Sequence, residues 1–405
     1  MKPHPAGAPR AASSDPVRKQ FLVFGSPALG EAEIQEVVDT LRSGWIGTGP
    51  RVARFEEMFR GYIGSPHALA LNSCTAALHL SMIAAGIGPG DEVITTPHTF
   101  AATANSIVHT GATPVFVDVD QATQNIDPSL IERAVTPRTR AILPVHFAGR
   151  PCEMDPIMSV ARRHGLRVIE DAAHAIESVY RGRHIGTIGD AACFSFYVTK
   201  NIVTGEGGMV TTSDDTWAEK IQTYGLHGLS KGAWKRYSDS GFVHYQVLYP
   251  GFKYNMTDMQ AALGIRQMER IDAYAARRRE IWSRYDKAFS DLPAAVPSPM
   301  REDTEPATVH ARHLYTLLLD VERLNIDRDA IVEELKGEGI GTGIHFISLH
   351  LHPYYRERFG FSPDDFPQAR HISERTVSLP LSARLSDQDV DDVITAVRKV
   401  LLRHS

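Results

Sequence analysis

The chain has 405 residues, enough for one large domain with a smaller partner or for two to three ordinary domains. Hydrophobic residues make up 43% and charged residues 22%, and a formal net charge of -5 argues against nucleic acid or an anionic membrane as partner. Three scattered cysteines (Cys74, Cys152, Cys193) have neither metal spacing nor a disulfide framework, and no apolar run is long enough to span a bilayer. The composition predicts a cytoplasmic enzyme without a metal.

Taken in order, Met1 to about Lys19 is rich in Pro, Ala, Ser and Gly and reads as a disordered tail. The expected division is a tail at 1–20, a large domain at 21–260 and a small C-terminal domain at 261–405, joined by a long helix. Glu31 to Arg42 has helical spacing and stops at Ser43-Gly44. Gly44-Trp45-Ile-Gly-Thr-Gly-Pro50 follows, a glycine-rich loop that serves as a connector or as a backbone wall near a ligand, with Trp45 as a candidate substrate contact. After another helix (Val52 to Tyr62), the strand His67–Leu71 runs into Asn72-Ser73-Cys74-Thr75 and a helix. A strand, a small polar turn and a helix start make a ready anion site, because free amides and the helix dipole both favour phosphate.

The strand ending at Pro97 leads to His98-Thr-Phe100, where an aromatic side chain is placed to stack on a flat ring or to cap the sheet edge. Pro114–Asp118, Ala141–His146 and Arg167–Asp171 are further short apolar strands, with helical stretches at Pro128 to Ala134 and Asp155 to His164. Short apolar strands alternating with helices predict an α/β fold whose large domain holds a mainly parallel sheet flanked by helices. Ligands in such sheets sit beyond the carboxyl ends of strands. Ser73, Phe100 and Asp171 all fall just past such ends.

Lys200 joins them if Cys193-Phe-Ser195-Phe-Tyr-Val-Thr-Lys200 begins as a strand. A lysine among apolar and hydroxyl residues is costly to bury as an ammonium, so its pKa should fall, which suits it to form a Schiff base. Pyridoxal phosphate needs such a lysine for its aldehyde and an acid for its pyridine nitrogen. Lys200 and Asp171 are suited to those two jobs.

Thr257 or Asp258 is a candidate cap for a long helix running to about Tyr285, on which Arg277-Arg278-Arg279 reads as a solvated face. Beyond it, His313–Leu319 and Gly341–Phe346 read as strands, with helices at Asp327 to Gly337 and Asp387 to Leu402. They predict a smaller α+β C-terminal domain.

These motifs together resemble the DegT/DnrJ/EryC1/StrS family of sugar aminotransferases, within fold-type I pyridoxal-phosphate enzymes, whose fold is aspartate-aminotransferase-like. The match covers about residues 21 to 402 and rests on six ordered motifs: Ser43–Pro50, Asn72–Leu78, Thr96–Ala104, Glu170–His174, Phe194–Asn201 with Gly205–Gly208, and Gly251–Asp258. The resemblance implies that Lys200 holds the cofactor and Asp171 pairs with its pyridine nitrogen. It places Phe100 against the ring, Ser73, Cys74, Thr75 and Ser195 at the phosphate, and His174 near the phenolic oxygen. It gives Asn255 to the phosphate of a neighbouring subunit, which implies a homodimer with shared active sites. Lys200 stands where a dehydratase branch of the family carries histidine, which favours transamination.

The expected reaction passes an amino group from glutamate to a nucleotide-linked keto sugar. Gly341–Tyr355 resembles the branch acting on UDP-linked 4-keto sugars, with His345, His350 and His352 as candidate pocket residues. Carbon 4 is expected, with a carbon-3 keto sugar, a cyclitol or a dehydratase reaction as alternatives. Lys231, Lys235 and Arg236 are candidates for the substrate diphosphate.

Overall fold

A computed structural model describes residues 15–230, 245–300 and 306–405. The large domain is built on a seven-stranded sheet. Its strands are β1 (His67–Leu71), β2 (Glu92–Thr95), β3 (Thr113–Phe116), β4 (Thr139–Ile142), β5 (Arg167–Asp171), β8 (Ala191–Ser195) and β9 (Gly208–Thr212). The short hairpin β6 (Val179–Tyr180) and β7 (Arg183–His184) stands apart from it. The spatial order is β1-β9-β8-β5-β4-β2-β3, parallel throughout except for β9, which runs antiparallel to both neighbours. The expected mixed α/β architecture is therefore present, with one reversed strand that returns the chain from the Lys200 loop.

Near-continuous burial of β2, β8 and β9 reflects helices on both faces. On one face Phe55, Phe59, Phe194 and Phe196 interlock with ring centroids 5.0 to 6.4 Å apart, roofed by the helices Pro50–Ile63 and Asp258–Met268. All four are fully buried, so truncating any one to alanine should cost about 3–5 kcal/mol. On the other face the helix Cys74–Ala84 covers Val93, Ile169, Cys193 and Val210.

The small domain has a three-stranded antiparallel sheet of β10 (Ala294–Ala295), β11 (Tyr315–Leu319) and β12 (Thr376–Leu379), covered by the helices Arg328–Gly337 and Asp387–Arg403. Several sequence expectations shift. The long helix breaks at Glu269–Arg270 into Asp258–Met268 and Ile271–Phe289. Thr257 caps the first in a capping box with Gln260, while Asp258 instead accepts the amides of Arg51 and Val52 at the start of the neighbouring helix. Ala261, Ile265, Met268 and Ile271 pack into the large core and Ile281 onwards into the small one, so the cores change over within the helix Ile271–Phe289 rather than at 260. Gly341–Phe346 forms no strand and makes one isolated pairing, Gly343 with Ser378. Finally, the end of the expected tail is anchored: Arg18 reaches Asp389 and Asp392 at 2.7 Å each, and the Val17 amide donates to Glu338.

Candidate active site

Four strand ends and two loops meet at one cavity of about 580 Å³. β1 delivers the turn Ser73–Thr75, β2 delivers Phe100, β5 ends on Asp171, and β8 ends on Ser195 and leads into the Lys200 loop; all of these line the cavity, as do His174 and His345. The convergence follows from parallel pairing, since Asp171 lies opposite Cys193 in the ladder and bridges to Val145 on the other side.

Ser73 caps the helix Cys74–Ala84, its hydroxyl accepting from the Ala76 amide at 3.1 Å. Against this turn runs the start of β9. A Cβ on Gly208 would lie 2.4 Å from both the carbonyl carbon and the oxygen of Ser73, so only glycine lets β9 close the wall of the cradle.

Asp171 is 5% exposed. Its Oδ2 accepts from Thr103 Oγ1 at 2.7 Å and its Oδ1 from the Ala173 amide at 3.1 Å. Burial raises its pKa above the ordinary carboxylate value, while these bonds and the nearby Lys200 and His146 pull it back. Lys200 is half-buried as a residue, with its amine deep enough that burial lowers its pKa to about 8, against the opposing pull of Cys74 and Asp171. A depressed lysine and a carboxylate held by directed donors are the pair that the sequence predicted for pyridoxal phosphate.

His174 Nδ1 accepts from the Ala148 amide at 3.2 Å, so its proton sits on Nε2. Burial keeps it neutral, and neighbouring Lys200 acts in the same direction. His345 is held through Nδ1 by the Ser378 hydroxyl at 2.8 Å, and burial lowers its pKa to about 4. Phe100 is 63% exposed at the mouth of the cavity, its ring 6.1 Å from that of Phe346.

The remaining candidates lie elsewhere. His350 is sealed away from the cavity, its ring 5.0 Å from that of Phe366. His352 is half-buried and lines an adjoining groove with Tyr354 and Tyr355. Trp45 is half exposed and donates to the Thr48 carbonyl at 3.0 Å. Asn255 donates to the Thr48 hydroxyl at 2.5 Å, and both line a separate recess, away from Lys200 of the same chain. Lys231, Lys235 and Arg236 lie outside the described residues. Among the described residues no group of three or more His, Cys, Asp or Glu could hold a metal, and no helix is long and apolar enough to cross a membrane.

Sequence reasoning passed over Thr103, Glu206 and Phe346, which also line the cavity. Thr103 carried a usable signal, since it lies one helical turn beyond Phe100 and therefore on the same side of the helix Ala101–His109. Phe346 had none, because its place depends on how the small domain packs.

The residues present fit pyridoxal phosphate. The Ser73–Thr75 turn opens the helix Cys74–Ala84 onto the cavity, as a phosphate site requires, and the low-pKa lysine and bonded carboxylate meet the two ends of the cofactor's chemistry. Comparison with known proteins agrees. The DegT/DnrJ/EryC1/StrS aminotransferase family matches residues 27–398. The spore coat polysaccharide biosynthesis protein SpsC of Bacillus subtilis is 53% identical over 385 residues, 95% of this chain and 98% of that protein. Among solved structures, Spr1654 of Streptococcus pneumoniae, described as a sugar aminotransferase, superposes with a TM-score of 0.86 at 34% identity, covering 95% of this chain and 98% of its own. It has also been solved in PMP and PLP forms. Helicobacter pylori PseC, an aminotransferase involved in the biosynthesis of pseudoaminic acid, gives a TM-score of 0.86 at 29% identity, covering 95% of this chain and 100% of its own.

Proposed function

The chain belongs to the DegT/DnrJ/EryC1/StrS aminotransferase family, and from that premise we propose that it moves the amino group of glutamate to carbon 4 of a UDP-linked keto sugar. Membership carries the coarser activity: the protein is a pyridoxal-phosphate-dependent sugar aminotransferase. The donor, the nucleotide and the carbon are the proposal, supported by the resemblance of Gly341–Tyr355 to the UDP-4-keto branch. One observation carries the assignment of the site: Lys200, Asp171 and the Ser73–Thr75 turn open into a single cavity.

In this reading Ser73, Cys74, Thr75 and Ser195 hold the phosphate, Phe100 covers the ring, and His174 offers its Nε2 proton to the phenolic oxygen. Pyridoxal phosphate, when bound, supplies the electron sink that makes the bond next to the amino nitrogen labile. Asp171 keeps its charge against burial through Thr103 and Ala173, and that charge favours a proton on the facing ring nitrogen. Lys200 Nζ, with a pKa of about 8, is neutral in a useful fraction near physiological pH, so it takes the proton from the substrate carbon and returns it elsewhere. His345, neutral at the same pH, lies in the lining as a hydrogen-bonding group for the sugar.

The protein is further proposed to act in the cytoplasm as a homodimer with shared sites. Large exposed apolar side chains at Ile34, Leu41, Trp45 and Ile46, and at Tyr245, Val247, Leu248 and Tyr249, support an interface. So does Asn255, which sits apart from its own chain's cavity with an unpartnered amide oxygen. The test is to load the protein with pyridoxal phosphate, convert it with ¹⁵N-glutamate, and offer UDP- and dTDP-linked keto sugars. The expected product is a UDP sugar carrying ¹⁵N at carbon 4. Label at carbon 3, or exclusive use of dTDP sugars, would overturn the substrate proposal.

A further inference from the structure

Behind Lys200 lies a chain of buried polar groups that the reaction above does not use. Arg278, on the helix that joins the two domains, is 2% exposed and pairs with Glu177, itself 6% exposed. The other Glu177 oxygen accepts from Asn201 Nδ2 at 2.7 Å. With its amino group so engaged, Asn201 presents its carbonyl oxygen to His313 Nδ1 at 3.0 Å, which fixes the His313 proton on Nδ1. The His313 ring then lies 4.5 Å from that of His174 in the cavity wall. Three segments far apart in sequence, two of them on the small-domain side of the molecule, converge on the residue that follows Lys200.

Further contacts hold this chain in place. Asn201 also reaches the Ala311 carbonyl, whose own amide is bonded to Gly149. Lys200, Asn201 and Arg278 line one small void of about 30 Å³, large enough for about one water, with Leu381 and Ser382 of the small domain on its far side. On the opposite side a Cβ on Gly25 would lie 2.6 Å from Thr199 Cγ2, so the N-terminal segment presses on the same loop.

We propose that Glu177 and Asn201 are positioning residues that lock the Lys200 loop to the small domain through Arg278 and His313, and so keep water from the side of the lysine that faces away from the cavity. A buried ion pair contributes little net stability, because desolvating two charges offsets most of their attraction. Its retention here makes sense as a fixed anchor for an uncharged, exactly oriented amide. The charged and titratable groups facing Lys200 are Asp171, Cys74, His174, His313, His345, Tyr197 and Glu206 around the cavity, and Tyr274 and Arg278 across the small void; of these, His313 and Arg278 belong to the anchor. Losing Asn201 alone leaves Arg278 paired with Glu177, so it changes how wet the amine is before it changes which charges surround it.

The inference rests on Lys200 as the working lysine, and its test separates the two. The full-length protein without cofactor is pulse-labelled with acetic anhydride across a pH series, and modification of Lys200 is read by peptide mass spectrometry against surface lysines. In the wild type the midpoint for Lys200 should lie near 8. In Asn201→Ala, which leaves the Arg278–Glu177 pair whole and should fold, the midpoint should rise by about one unit, since hydration restores the charged form. Glu177→Gln also strips Arg278 of its counter-charge, so it should lose more thermal stability and show a smaller rise in the Lys200 midpoint. A lowered melting temperature with an unmoved Lys200 midpoint in Asn201→Ala would overturn the positioning role and leave a purely structural one. Borohydride trapping of pyridoxal phosphate on a different lysine would instead refute the reading of Lys200 itself, whatever the midpoints do.

Discussion

Replacing Thr103 by valine should weaken cofactor binding in a way that depends on pH. Thr103 is completely buried in the first turn of the helix Ala101–His109. Its hydroxyl donates to Asp171 Oδ2 at 2.7 Å, so the bond to Thr99, also 2.7 Å, must be one that Thr99 donates. Valine keeps the shape and removes the donor. A hydrogen bond to a buried charge is worth about 2 kcal/mol, which corresponds to a rise of about 1.5 units in the Asp171 pKa. The sign follows from linkage. Asp171 is already raised in the folded chain, so its ionisation opposes folding as pH rises through its folded pKa, and the variant extends that window upward. Binding of pyridoxamine phosphate requires the ionised carboxylate, so at low pH the variant should bind about 30-fold more weakly. Well above both pKa values the ratio should fall towards one, because free and bound protein then lose the same bond. Calorimetric titration with pyridoxamine phosphate between pH 5 and pH 9 measures it, with Thr103→Ser as the control that keeps the hydroxyl. A constant ratio across that range would refute the assignment of Thr103 as the donor that holds the charge on Asp171.

Other perturbations give equally definite outcomes. Lys200→Met should stabilise the cofactor-free protein at pH 7 by up to about 3 kcal/mol before solvent screening, since folding depresses the lysine pKa from 10.5 to about 8. Stability of the wild type should rise between those two values, so the gain of the variant shrinks over the same window; chemical denaturation at several pH values checks it. Gly208→Ala drives a methyl group into the Ser73 backbone, and should cost about 1–3 kcal/mol of stability together with cofactor retention, measured by melting temperature with and without pyridoxal phosphate. If Asn255 serves the neighbouring subunit, neither Lys200→Ala nor Asn255→Ala alone supports full turnover. Co-refolding them in equal amounts should restore about a quarter of wild-type activity per subunit, because half the dimers are mixed and each holds one intact site. No recovery on mixing would place Asn255 in its own chain's chemistry.

Much of the site was legible because its parts are local. Ser73 to Thr75 follow an apolar strand and open a helix, Asp171 ends another strand, and Lys200 sits in an apolar stretch bordered by glycines; each signal spans fewer than about ten residues. What escaped depends on packing between distant segments. β9 is apolar like its neighbours, and nothing in its residues says that it runs antiparallel between β1 and β8. Arg278 lies in a run of three arginines and reads as solvated, yet Glu177 from the loop after β5 draws it into the interior while its neighbours keep to the rim. His313 reads as the first residue of a strand; the strand begins at Tyr315, and the histidine turns instead to Asn201. Gly341–Phe346 has the spacing of a strand, but its glycines admit Leu22 and Phe24 of the N-terminal segment at close range. These are tertiary decisions, taken where the two domains and the N-terminal segment meet.

The measurement that bears most directly on the central claim is the visible absorbance of protein loaded with pyridoxal phosphate, recorded before and after glutamate, beside the Lys200→Ala variant. The wild type should show the band of a lysine-bound cofactor, and glutamate should convert it to the pyridoxamine form. The variant should show no such lysine-bound band. A band that persists in Lys200→Ala, or one in the wild type that glutamate leaves unchanged, would contradict the account.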